Sequence, residues 1–121
     1  MASLRLARFY ASYDLSEKGL TSPLNDVLLE ASRLLTARAA ALYDANLDAG
    51  EASNIAKVCA SDAASAALDA AIQAHGGNGM ATEYGLSTLL GLVRLFRIAP
   101  VSTEMSLNHI ARKSLGLPKS Y

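Results

Sequence analysis

Two short runs carry the residue types that could do chemistry. Residues 75–79 read His-Gly-Gly-Asn-Gly, and residues 102–104 read Ser-Thr-Glu. Three Gly among residues 76–79 permit positive φ and leave main-chain amides uncovered, so this bend can approach a large planar or phosphorylated ligand. The Ser102 hydroxyl and the amides of Thr103 and Glu104 would form an anion-friendly helix start, although the Glu104 carboxylate opposes an anion there. His75 could reach a ligand at the bend, or could simply complement the helix dipole at a C-terminus.

The other candidates have plainer readings. His109 reads as a partly exposed structural residue, and with His75 it forms no metal spacing. Cys59 lies on an Ala-rich face and reads as a small buried hydrophobe. Asp62 and Asp69 are two helical turns apart, so a shared proton is disfavoured and a solvated face fits better. Glu83 and Glu104 read as solvated acids near helix starts, with a base role as the alternative. The aromatic residues are too dispersed for a nucleic-acid stacking platform.

Positioning such residues falls to helices. The chain has 121 residues, with 23 Ala, 20 Leu and no Trp, while Val, Ile and Thr together number 13. Ala and Leu favour helix and the sheet formers are scarce, so the expected fold class is all-α. The length suits a single domain over residues 1–121. Net charge is zero, which gives no footprint for nucleic acid or an anionic membrane. One cysteine excludes an intramolecular disulfide and a multi-Cys zinc site. No apolar run reaches the ~20 residues a membrane span needs. A cytoplasmic setting is expected, or the mitochondrial matrix if the source is eukaryotic.

Residues 1–13 contain Arg5 and Arg8 and no acid. They fit a presequence or, preferably, the incomplete end of a first helix. Residues 14–22 read as its connection. Ser22-Pro23 signals a helix start. Leu24, Val27, Leu28, Ala31, Leu34, Leu35, Ala39 and Leu42 form one face of a helix expected over 23–49, stopped by Gly50. A second, Ala-rich helix is expected over 53–75, antiparallel to the first because the connection is short. A third is expected over 83–97, with Leu86, Leu89, Leu90, Val93 and Phe96 inward. The residue before Pro100 cannot comfortably stay helical. The last helix is capped by Ser102 and stopped at Gly116, with Met105, Leu107, Ile110, Ala111 and Leu115 as its inward side.

The run 71–117 resembles the C-terminal helical domain of the flavin-dependent acyl-CoA dehydrogenases. The strongest stretch is AIQAHGGNG at 71–79, similar to the family's "AIQ…GGNG" at the end of a long bundle helix. RLFRI at 94–98 followed by Ser102-Thr103-Glu104 is similar to "KxYxI…GTSE", at fitting separation. The segment LLEASRLLTARAAALYD at 28–44 is similar to the central bundle helix. The resemblance spans residues ~20–121 and is by analogy. It implies an antiparallel four-helix-type bundle whose first helix is incomplete here.

The resemblance also implies FAD as cofactor, held across subunit contacts in a homo-oligomer, dimer or tetramer. Gln73, Ala74, His75, Gly76 and Gly77 would approach the FAD of a neighbouring subunit, and Ser102, Thr103 and Glu104 match positions that meet the bound FAD after the catalytic position. The implied reaction of a complete enzyme is α,β-dehydrogenation of an acyl-CoA thioester. Three departures qualify it. The usual catalytic glutamate position is Pro100, which cannot take a proton, so the catalytic base is unassigned. The usual Arg-Asp pair is Gly91-Leu92. The "RxxFG" segment has no match around residues 15–19 beyond Gly19. Dehydrogenation needs base, substrate and flavin in one dry site. The chain by itself is expected to supply one wall of that site and to be inactive alone. The alternative is a non-catalytic helical module that pairs with itself or with a full-length relative.

Overall fold

A computed structural model describes residues 23–119 of the chain. The readings placed on residues 1–22, including the incomplete first helix, the presequence and the Ser22 cap, lie outside the described residues. The described elements are helical throughout, which agrees with the all-α expectation. They are α1 (Pro23–Asp44), α2 (Gly50–His75), a single turn α3 (Gly77–Met80), 3-10 turns at Thr82–Tyr84 and Ser87–Leu89, α4 (Leu90–Ile98) and α5 (Thr103–Leu115).

The stop of α1 is not Gly50. Asn46 takes φ 56°, the left-handed region that Asn tolerates better than other residues with a side chain. Its N–H donates to the Tyr43 carbonyl at 3.0 Å, and the Leu47 N–H donates to the Leu42 carbonyl at 2.9 Å. This paired closure satisfies carbonyls that a helix end leaves open, and it ends α1 at Asp44 rather than 49. Gly50 instead begins α2, three residues ahead of the expected start, and its N–H donates to Asp48 Oδ1 at 2.9 Å. The short connection turns the chain back, so α1 packs antiparallel along α2.

α2 is the central helix, since α1, α4 and α5 all pack against it. Its buried residues are small except for Leu68: Ala52, Ala56, Ser61, Ala63, Ala64, Ala67 and Ala71. Methyl-sized side chains let neighbouring backbones come close, and only small residues fit on the facing side. Hence α1 presents Ser32 and Ala39, and α5 presents Thr103 and Ser106. The Ser32 hydroxyl donates to the Leu28 carbonyl at 2.7 Å and Ser61 to Val58 at 3.0 Å, so these buried polar groups stay satisfied.

This packing corrects two expected faces. Val27 and Leu34, assigned inward on α1, are 63% and 59% exposed. Met105, Leu107 and Leu115, assigned inward on α5, are also exposed. The period was right; the phase was set by close approach to Ala rather than by side-chain size. Cys59 is half-buried rather than buried.

The third helix is shorter than expected. Gly85, at φ 74°, interrupts 83–97, and regular helix resumes only at Leu90. The break lets Leu86 reach Leu68 and Ala71, with Ile72, Leu89 and Val93 packed around them. Leu90, expected with that group, is exposed. The last helix begins and ends as read: Ser102 Oγ accepts the Met105 N–H at 3.2 Å, and Gly116 closes it at φ 65°.

Candidate functional site

The first candidate segment forms where α2 runs out of helix. Gly76 has φ 56° and ψ −135°, a backbone state that strongly favours glycine, and its N–H donates to the Gln73 carbonyl at 3.1 Å. A Cβ built on Gly76 or Gly77 would meet nothing within 4 Å. Gly79 is the opposite case: its Cβ would strike the main chain of Ile72. One glycine of the run therefore packs the bend onto α2, and two keep its outer side open. Among the described residues, no side chain comes within 4 Å of a Cβ placed at either of these two.

Gln73, Ala74, Gly76 and Gly77 are exposed and His75 is half-buried. His75 Nδ1 lies 2.8 Å from the Ala71 carbonyl. A carbonyl only accepts, so Nδ1 carries a hydrogen. The Tyr84 ring stands edge-on to the imidazole at 6.3 Å between centroids.

The second segment starts α5. Ser102 Oγ caps the helix, as described. Thr103 is buried, and its Oγ1 donates to the Arg97 carbonyl at 3.2 Å. Glu104 is exposed. Its own main-chain N–H, then the Ser102 hydroxyl, hold its carboxyl below the usual carboxylate range, with Arg97 and Lys57 adding attraction. The lowered value makes its carboxylate a weaker base, which disfavours it as a proton acceptor. Pro100 stands exposed between exposed Ala99 and Val101. That stretch holds no group able to take a proton.

The structure does not bring the two segments together. Lys57 and Asp62 of α2 contact Arg97 beside the second segment, while the first lies at His75. The 13 to 18 residues between correspond to roughly 20–27 Å of helix at 1.5 Å per residue. Within one chain they are separate stations on one helix, one beside its middle and one at its C-terminus, not two walls of one pocket.

Sequence reasoning missed two groups. Asp62, read as solvated, pairs with Arg97 Nη1 at 3.0 Å. Near the start of α2, Lys113 Nζ meets Asp48 at 3.2 Å, and the Ser114 hydroxyl bonds to Glu51. His109 is half-buried there, with Nε2 shielded from solvent and facing Gly50. No linear signal pairs residues so far apart in the chain. No described helix is long and apolar enough to cross a membrane.

The family model for the acyl-CoA dehydrogenase C-terminal domain matches residues 25–115. The chain belongs to the acyl-CoA dehydrogenase family. Acyl-CoA dehydrogenase FadE12 of Mycobacterium tuberculosis is 47% identical over 110 residues, covering 88% of this chain and 28% of that protein. Acyl-CoA dehydrogenase family member 11 of Homo sapiens is 37% identical over 91 residues, covering 74% of this chain and 12% of that protein. Among solved structures, the FAD complex of PigA superposes with a TM-score of 0.75 at 28% identity, covering 95% of this chain and 32% of that one. The chain thus spans under a third of the length of these relatives.

Proposed function

We propose that this chain acts as the C-terminal domain of an acyl-CoA dehydrogenase-like flavoprotein, contributing FAD contacts and an oligomer interface to the α,β-dehydrogenation of acyl-CoA thioesters. The carrying observation is the division of labour within the glycine run: Gly79 is packed against Ile72, while Gly76 and Gly77 open outward with room for a ligand against bare backbone. The residues present fit a flavin nucleotide. Gln73, Ala74, His75, Gly76 and Gly77 would hold it at the C-terminal end of α2, and Ser102, Thr103 and Glu104 would face it beside the middle of that helix. Their separation supports contacts to two different cofactors, one of them a neighbouring protomer's. When bound, the flavin supplies the hydride acceptor.

This chain's own part is to orient and to exclude water. Ser102 and Thr103 are engaged in holding α5, so the first-turn main chain and the Glu104 carboxylate are what that segment offers outward. The α-proton has no acceptor at Pro100 and must go to a carboxylate elsewhere in a complete enzyme. The partners are further copies of this chain or a full-length relative. Leu92, Leu95, Ile98, Val101 and Met105 lie exposed along α4 and the start of α5, which supports burial against such a partner.

Pro100 and Gly91-Leu92 favour a second reading, a non-catalytic helical module that pairs with a full-length relative. An absorbance scan of the purified chain tests the first. A flavin band near one per chain, alone or when mixed with a full-length relative, supports it. Protein that stays colourless in both settings after FAD addition leaves the module reading. Sedimentation tests the interface: Leu95→Glu should shift an oligomer towards monomer.

A further inference from the structure

The connection 99–102 holds no regular structure, yet it carries the second candidate segment at its end. Arg97, in the last turn of α4, grips both sides of it. The Arg97 carbonyl is among those a helix end leaves without an intrahelical donor. It accepts from Thr103 Oγ1 at 3.2 Å and from Lys57 Nζ at 3.4 Å. The Arg97 guanidinium forms an ion pair with Asp62 Oδ1 at 3.0 Å, its N–H not pointing squarely at the oxygen. That oxygen is shielded from solvent, although both side chains are partly exposed. One residue is thereby held at its main chain and at its side-chain tip by two residues of α2, and Thr103 ties the first turn of α5 to the same carbonyl.

We propose that Arg97 is a positioning residue for the segment formed by Ser102, Thr103 and Glu104, with Lys57 and Asp62 as its anchors on α2. The network sets the placement of the first turn of α5 on α2 without itself meeting a ligand. Thr103 belongs to this framework, because its hydroxyl is buried and engaged. α2 then serves as a common ruler. Its anchors place one flavin-facing segment, and its C-terminal bend is the other. The proposal rests on the flavin reading above for what the segment faces, but the placement itself can be measured without flavin.

The test uses the full chain and two readouts. Amide exchange is followed at Met105 and Ser106, whose N–H groups donate to Ser102, and at core amides of residues 68–72 as control. FAD affinity is followed by flavin fluorescence, with a full-length relative added if the chain alone takes up none. Asp62→Asn and Arg97→Gln should speed exchange at Met105 and Ser106 by about tenfold while the control amides change by less than about twofold, the signature of local rather than global opening. They should weaken FAD binding at unchanged melting temperature. Arg97→Lys, which keeps the charge and the main-chain contacts, should recover much of both. Unchanged exchange at Met105 and Ser106, or uniform acceleration across the chain, overturns the proposal. If exchange responds but flavin never binds, the placement role stands and the flavin reading falls. If flavin binds and neither exchange nor affinity responds, the flavin reading stands and the placement role falls.

Discussion

A Cβ placed on Gly79 would stand 2.5 Å from the Ile72 carbonyl oxygen and 2.9 Å from the Ile72 Cα. Both neighbours are main chain of α2, so neither can swing aside as a side-chain tip would. Gly79→Ala should therefore destabilise the fold by about 2 kcal/mol, the cost of overpacking a closed contact. Gly77 has open space at the same test and no positive φ. Gly77→Ala should leave the urea midpoint unchanged or slightly raised, because Ala is the better helix former. On the proposed function, the same variant should lose flavin uptake. Equal loss of stability in the two variants would contradict this division.

Leu68 is the one large side chain among the buried residues of α2, and it joins Ala71 and Leu86 in the core cluster. Leu68→Ala should cost about 2–5 kcal/mol, the range for buried Leu truncations. Leu34→Ala, at an exposed position of α1, should cost well under about 1 kcal/mol in the isolated chain. Denaturant unfolding of both variants checks the corrected phase of the helices.

Ser102 Oγ accepts the Met105 N–H at the start of α5. Ser102→Ala removes that acceptor and should cost about 1 kcal/mol, while Ser102→Asp should retain most of it. The thermal midpoint reads both. Ser102→Ala should also move the Glu104 carboxyl back towards its ordinary range, because the Ser102 hydroxyl helps to hold it low. Side-chain carboxyl titration by NMR follows that shift.

Asp48 is held below the usual carboxylate range first by the Gly50 N–H and then by Lys113. A folded-state pKa below the unfolded value adds stability above the unfolded value, about 3.9 for Asp, and loses it as pH falls through the lower folded value. Asp48→Asn should therefore be less stable than the parent at pH 7, and the gap should close in acid below about pH 4. Lys113→Met should reproduce only part of the effect, since the Gly50 N–H is the larger cause. Unfolding midpoints from pH 7 to pH 2.5 give the comparison. A gap that persists at the acid end would point to some other cause.

Much of the local structure was legible in the sequence because local chemistry dictates it. The Ser102 cap, the stop at Gly116, the break before Pro100 and the glycine bend after His75 each depend on a residue and its near neighbours. The same holds for the all-α class, which follows from Ala and Leu excess. Even the error at Gly50 was local in kind, since the left-handed stop exists but Asn46 supplies it. The family motifs were equally readable as strings.

Which way the helices face was decided by tertiary structure alone. An apolar stripe read from sequence assumes that the largest hydrophobes mark the core. Here the central helix is lined with Ala, so the closest contacts admit Ser32, Ser61, Thr103 and Ser106, and leave Val27, Leu34, Met105 and Leu115 outside. The Asp62–Arg97 pair and the distance between the two candidate segments arise in the same way. Contacts between residues 35 or more positions apart depend on how helices cross, and crossing is set by the volume available between them, not by any single stretch of chain.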